Sequence, residues 1–159
     1  MSGFDLRQFL PYQLAAAAER VSRDFADIYR REFGISIPEW RVLAHLSQEG
    51  EVSVRDIEAR VAMEKSKVSR AASRLEAAGY ISKQTNPGDR RLVALALTAE
   101  GRSLIAKIVP LALDYQARLV TELGKDGPAL ALALKRSLGE AANLVTGAMN
   151  QNDADPQAA

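Results

Sequence analysis

The chain has 159 residues and 17.3 kDa, with 47% hydrophobic and 26% charged residues and a net charge of +1. That length holds one domain, or one domain plus helical extensions, and the composition is ordinary for a folded soluble protein. Cysteine is absent, which excludes disulfides, thiol redox sensing and thiolate metal sites, and with no membrane-length apolar run and no signal-type N-terminus the expected location is cytoplasmic.

Residues 1–8 read as a loose lead-in. From Leu10 the spacing predicts a long helix to about Phe33, with Leu14, Ala18, Val21, Phe25 and Ile28 on one stripe, Pro11 in its first turn and Gly34 as its stop. Ser36-Ile-Pro-Glu39 is a capping box opening a helix through about Gln48, with Trp40, Leu43, Ala44 and Leu46 on its buried side. Gly50-Glu-Val52 is a short connector. Ser53-Val-Arg-Asp56 has the capping form again and starts a short helix with Val54, Ile57 and Val61 inward.

Only a few residues around Ala62-Met63 separate that helix from the next, over residues 64–78. Val68, Ala72 and Leu75 fall on the inner face of this helix; Lys67, Arg70, Ser73 and Arg74 fall on the outer face, with Ser66 and Ser69 near its leading end. Long cations mixed with short hydroxyls suit approach to a phosphate backbone and reach to base edges. A helix–turn–helix places its second helix in the major groove in this way. Gly79 ends the helix. Tyr80 to Thr85 then alternates as a strand, Asn86-Pro-Gly-Asp89 is a turn, Arg90 and Arg91 stand at its tip, and Leu92 to Leu97 is a second strand. Together they make a winged helix, with the wing at 80–97.

Charge distribution agrees. Residues 65–91 carry Lys65, Lys67, Arg70, Arg74, Lys83, Arg90 and Arg91 against Glu76 and Asp89, a net of +5, so the remainder sums to −4. A basic patch on a mildly acidic body is the footprint of a nucleic-acid binder. Beyond the wing, Thr98 caps a helix from about Ala99 to Leu123 with Leu104, Ile108, Leu111, Tyr115 and Leu119 on its stripe. Pro110 lies inside it and is expected to kink or break it. After a turn at Gly124 to Pro128, a last helix over about Ala129 to Thr146 carries Leu130, Leu134, Leu138, Ala141 and Val145. Residues 147–159 read as a disordered tail.

Four stretches together carry a family resemblance: Met63-Glu-Lys-Ser-Lys-Val-Ser-Arg70, Leu75-Glu-Ala-Ala-Gly-Tyr-Ile81, Asp89-Arg-Arg91 and Leu97-Thr-Ala-Glu-Gly101. They resemble the multiple antibiotic resistance regulator (MarR) family, dimeric bacterial transcription regulators, over roughly residues 10 to 146. Two positions depart from the family pattern: Glu64 stands where Asp is common, a weaker helix cap, and Asn86 stands where Asp is common before the wing proline. The resemblance implies a mainly α fold: a winged helix–turn–helix lobe over 35–98 with a two-stranded β wing, flanked by dimerisation helices over 1–34 and 99–146. It also places a small edge strand near Val52.

The implied function is a homodimeric repressor of a palindromic operator in double-stranded DNA, released by a small aromatic or phenolic effector. The expected DNA-contacting residues are Ser66, Lys67, Ser69, Arg70, Ser73, Arg74, Asp89, Arg90 and Arg91. Arg70 could bind a guanine or a phosphate. Arg90 resembles the family's minor-groove arginine, with Asp89 to hold the wing arginines and Arg91 able to exchange roles with it. The resemblance implies an effector pocket that Tyr29, Trp40 and His45 could line, although residues like Tyr29 and Trp40 are more often core than ligand wall, and a lone histidine such as His45 is better read as a partly buried structural one. Neither a metal nor a cofactor is expected, and no membrane association. An enzyme would need a carboxylate or lysine constellation that no spacing here supplies. The remaining alternative is a winged helix used only for protein contacts, without specific DNA binding.

Overall fold

The computed structural model describes residues 3–61, 63–89 and 93–146. They form helices α1 (Leu10–Phe33), α2 (Ile37–Glu49), α3 (Val54–Arg60), α4 (Lys65–Ala77), α5 (Ala99–Leu123) and α6 (Gly127–Thr146), with strands β1 (Val52–Ser53), β2 (Ile81–Thr85) and β3 (Val93–Leu97). The chain divides into two compact units, Met1–Leu113 and Asp114–Ala159. The tail expected to be disordered and the wing-tip residues Arg90 and Arg91 lie outside the described residues.

Helix starts follow their caps. Ser36 and Glu39 close the capping box reciprocally, the Ser36 N–H donating to Glu39 Oε2 at 2.8 Å and the Glu39 N–H to Ser36 Oγ at 3.4 Å. Ser53 caps α3 by accepting from the Asp56 N–H at 3.1 Å and donates its hydroxyl to the same carboxylate at 2.6 Å. Glu64 makes no side-chain cap for α4, as a longer acid than Asp would imply, and instead approaches Lys67 at 3.8 Å.

The core of the first unit gathers Phe25 and Tyr29 from α1, Val42, Leu43 and Leu46 from α2, and Ile57 from α3. Val68, Ala71, Ala72 and Leu75 of α4, Ile81, Leu95, and Leu104, Ile105 and Ile108 of α5 complete it. The inward side of α4 is thus the expected one, widened by Ala71. The sheet has three strands in the order β1-β3-β2, all antiparallel, with Val52 opposite Leu95 and Ile81 opposite Leu97. The two-stranded wing accordingly has the small edge strand that the resemblance implied.

Pro110 neither ends nor divides α5, which continues from Ala99 to Leu123. Both Pro110 and Ala106, whose carbonyl loses its helical partner to the proline, are exposed. Water can satisfy that carbonyl, so the missing hydrogen bond does not force a break.

The motif around Gly101 has a local physical basis. Helix α4 ends with Gly79 in the left-handed region (φ 79°), its N–H donating to the Glu76 carbonyl and the Tyr80 N–H to that of Leu75, both at 2.9 Å. Thr98 then ties this end to the start of α5. Its hydroxyl donates to the Gly79 carbonyl at 2.6 Å and accepts from the Gly101 N–H at 3.0 Å, while its own N–H donates to the Tyr80 carbonyl at 3.1 Å. Gly101 sits directly against that same Tyr80 carbonyl, where a Cβ would collide with it.

Candidate nucleic-acid interface

Helix α4 exposes two adjacent rows. Lys67, Arg70 and Arg74, spaced three and four residues apart, form a cationic row. Ser66, Ser69, Ser73 and Glu76 form a row of hydroxyls ending in an acid. The cationic row borders one groove along its length, and the hydroxyl row meets another at Ser69. The cationic row faces a notch of about 130 Å³ shared with Ser36, Pro38 and Glu39 at the N-terminal end of α2. Ser69, on the hydroxyl row, borders a trench of about 730 Å³ lined also by Arg55 of α3, Lys65, Lys83 of β2 and Asp89.

Several of the cations are already engaged. Arg70 Nε donates to the Ser66 carbonyl at 3.2 Å, which lays the side chain back along its own helix. Arg74 Nη1 lies 4.0 Å from Glu39 Oε1, an acid only 8% exposed whose other oxygen is held by the α2 cap. Lys83 Nζ donates to Ser73 Oγ at 3.1 Å and lies 3.1 Å from Glu76 Oε2. Lys65 makes no such contact among the described residues and lines the trench. Glu58 and Asp89 place two acids in the same trench, so its potential is mixed rather than uniformly positive.

The structure thus brings Ser66, Lys67, Ser69, Arg70, Ser73 and Arg74 onto one exposed surface of α4, and it places Asp89 across the trench on the wing. Asn86 holds the wing turn together. Its side-chain oxygen accepts from the Gly88 N–H at 2.8 Å and the Asp89 N–H at 3.3 Å, fixing the turn. Arg55 and Lys65 were not among the sequence candidates. The signal was available, because a cap at Ser53 puts Arg55 in the first turn of the helix that leads into α4.

The effector candidates lie elsewhere. The Tyr29 ring stands 5.0 Å from Phe25 and 5.7 Å from Trp40, and Phe25 stands 5.5 Å from Trp40, so three rings pack together across α1 and α2. Burial pushes the Tyr29 hydroxyl up to about 12, the nearby Arg30 and Arg41 charges offsetting only part of that. His45 is half-buried, and its Nε2 has no hydrogen-bond partner among the described residues. A separate apolar groove of about 480 Å³ lies between Leu46, Leu97 and Ile105, with Arg102 and Glu51 also in its lining. Among the described residues no helix is long and apolar enough to cross a membrane, and no cluster of three or more His, Asp or Glu is placed to hold a metal ion.

Comparison with known proteins agrees with this architecture. The sequence model described as the MarR family matches residues 33–92, the lobe that holds α4 and the wing. The HTH-type transcriptional regulator TtmR of Methylorubrum extorquens (strain PA1) is 30% identical over 110 residues, which is 67% of this chain and 56% of TtmR. The chain therefore matches little more than half of that relative's length. The HTH-type transcriptional repressor MdtR of Bacillus subtilis (strain 168) is 26% identical over 141 residues, covering 89% of this chain and 90% of MdtR. Among solved structures, the MarR family transcriptional regulator SPO1453 from Silicibacter pomeroyi DSS-3 superposes with a TM-score of 0.73 at 28% identity, over 87% of this chain and 98% of the other. The chain is thus similar to winged-helix transcriptional regulators of the MarR family, in sequence through the lobe at residues 33–92 and in fold over most of its length.

Proposed function

We propose that the protein is a homodimeric, sequence-specific repressor that binds a twofold operator in double-stranded DNA through α4 and the wing. The observation that carries this is the exposed pairing of rows on α4, three cations beside three serines, flanked by two grooves. In a major-groove helix such a surface supplies both backbone attraction and short side chains that let it approach base edges. Ser66, Lys67, Ser69, Arg70, Ser73 and Arg74 make the direct contacts. Arg90 and Arg91 reach the flanking groove with Asp89 to orient them, while Arg55 and Lys65 add backbone contacts.

Dimerisation is supported by the second unit. Leu130, Leu134 and Leu138 of α6, spaced four apart, are 40%, 43% and 68% exposed in the isolated chain, a row of exposed leucines of the kind that marks an interaction surface. Two copies related by a twofold axis present two α4 helices to a twofold site.

Release follows from a small aromatic or phenolic acid that binds one arrangement of the dimer better than another, since only differential affinity shifts such an equilibrium. Tyr29, Trp40 and His45 are the side chains we assign to that ligand's wall. Salicylate at millimolar concentration is expected to weaken DNA binding and to raise the melting temperature of the free protein. Peroxide and zinc are expected to change neither, because the chain has no cysteine and one histidine.

The test is selection of bound duplexes from a random library, followed by fluorescence-anisotropy titration of the selected and a scrambled duplex. A palindromic consensus with preferential binding is expected, and equal affinity for both duplexes would overturn sequence readout. Arg70→Ala should lose about 1–3 kcal/mol at one consensus position if the arginine reads a guanine. An equal loss on both duplexes would make Arg70 a phosphate contact instead.

A further inference from the structure

We infer that Lys83 is a positioning residue, a latch that sets the direction in which the wing leaves the recognition helix, rather than a cation for DNA. The inference rests on the DNA-binding reading above. Along β2, Ile81, Lys83 and Thr85 share one face, and burial falls along it from buried through half-buried to exposed. Ile81 is anchored in the core and Thr85 stands clear. Lys83 lies between them at the last position where β2 bonds to α4 among the described residues, its ammonium shared between Ser73 Oγ and Glu76 Oε2 at 3.1 Å each. Its side chain is only 25% exposed, against 52% for Lys67 and 73% for Arg74 on the DNA-facing row.

The chemistry of the site explains the presence of Glu76. An acid at the end of the hydroxyl row repels DNA phosphates and would be unfavourable there without a compensating role. Paired with Lys83 it forms a charge-assisted contact between helix and ribbon, with Ser73 as a second acceptor for the ammonium. Beyond this contact the ribbon runs two more residues to the turn at Asn86. A small change in its departure angle therefore displaces the tip that carries Arg90 and Arg91. Ser73 in turn is a shared group: its oxygen serves the latch in the free protein, so the wing and the α4 surface are set by one contact.

The latch makes a prediction opposite in sign to simple electrostatics. Glu76→Gln removes a negative charge beside the DNA surface, which by phosphate attraction alone should strengthen binding. If the latch positions the wing, it weakens operator binding by about two- to fivefold, the scale of one exposed ion pair. Lys83→Met should weaken binding to a similar degree while leaving the salt dependence of affinity unchanged, whereas loss of a phosphate contact would reduce that slope by about one. The double variant Lys83→Met, Glu76→Gln should be no weaker than either alone.

A second readout needs no DNA. The chain lacks cysteine, so nitroxides placed at Thr85→Cys and Ala77→Cys report the distance between wing and helix. Glu76→Gln and Lys83→Met should each broaden that distribution, with circular dichroism unchanged. Tighter DNA binding by Glu76→Gln, a reduced salt slope in Lys83→Met, or unchanged spin-label distances would each overturn the latch. Failure of the wild type to bind any duplex would overturn the DNA reading instead, leaving the spin-label distances to decide whether the contact holds the wing.

Discussion

Burial in the aromatic cluster makes the Tyr29 hydroxyl a poor acid, raised from the usual 10 to about 12 mainly by desolvation. The folded protein therefore holds this proton more tightly than the unfolded chain. Its contribution to stability is fully present below pH 10 and is lost as pH rises through the range from 10 to about 12. A shift of that size corresponds to about 2–3 kcal/mol in order of magnitude. Urea unfolding of the wild type and Tyr29→Phe at pH 9 and pH 11 should show a stability difference that moves in favour of the phenylalanine variant at the higher pH. A difference independent of pH would mean that the hydroxyl is not desolvated. Gly101 gives a second residue-scale expectation. The Tyr80 carbonyl it touches is held by the Thr98 N–H at 3.1 Å and cannot easily retreat, so Gly101→Ala should cost at least about 1–3 kcal/mol in denaturant unfolding. An unchanged midpoint would show that the α4–α5 junction yields. At this scale the sequence named Gly101 only as part of a motif. Its reason was illegible there, since it depends on a carbonyl twenty-one positions earlier. The pairing of Lys83 with Ser73 and Glu76 was hidden in the same way, because residues remote in sequence meet only when the ribbon folds beside the helix.

Helix boundaries were legible because they rest on neighbours in sequence. Leu10–Phe33 carries its proline at the start and Gly34 at the end in the left-handed region, and the Ser36 capping box opens α2. The α4 inner face followed from periodicity alone. Pro110 shows where local rules fall short. Taken locally it should interrupt α5, yet the exposure of Ala106 and Pro110 lets solvent take the orphaned carbonyl. The residue is tolerated rather than neutral. A helix-interior proline costs roughly 3 kcal/mol relative to alanine, part of which local adjustment of the turn recovers. Pro110→Ala should thus raise unfolding free energy by about 1–3 kcal/mol, measured by urea titration of the wild type and variant at the same protein concentration. Equal or lower stability in the variant would mean that the turn before residue 110 has a geometry that only proline favours.

At the scale of the whole molecule, two features that composition averages away become separate. The net charge of +1 conceals a basic stretch at residues 65–91 on a mildly acidic remainder, and the ordinary apolar content conceals a second unit whose described side chains are nearly all at least partly exposed. Of its described side chains, Leu130, Leu132, Leu134 and Leu138 are all exposed, as are Val120 and Leu123. Exposed leucines on this scale do not hold a helix in place, because helix stability in water comes mostly from packing an apolar face. The second unit is then structured by what covers it, and in the proposed dimer that is a second copy of the chain. Light scattering at micromolar concentration should give about twice 17.3 kDa. Leu134→Glu, which puts a charge in the centre of the α6 row, should shift the protein to the monomeric mass and lower its helical ellipticity, and with the twofold arrangement lost it should bind the selected operator only as weakly as a scrambled duplex. A wild type of monomeric mass, or a Leu134→Glu variant that remains dimeric and fully helical, would remove α6 from the interface and leave its leucines to be covered in some other way.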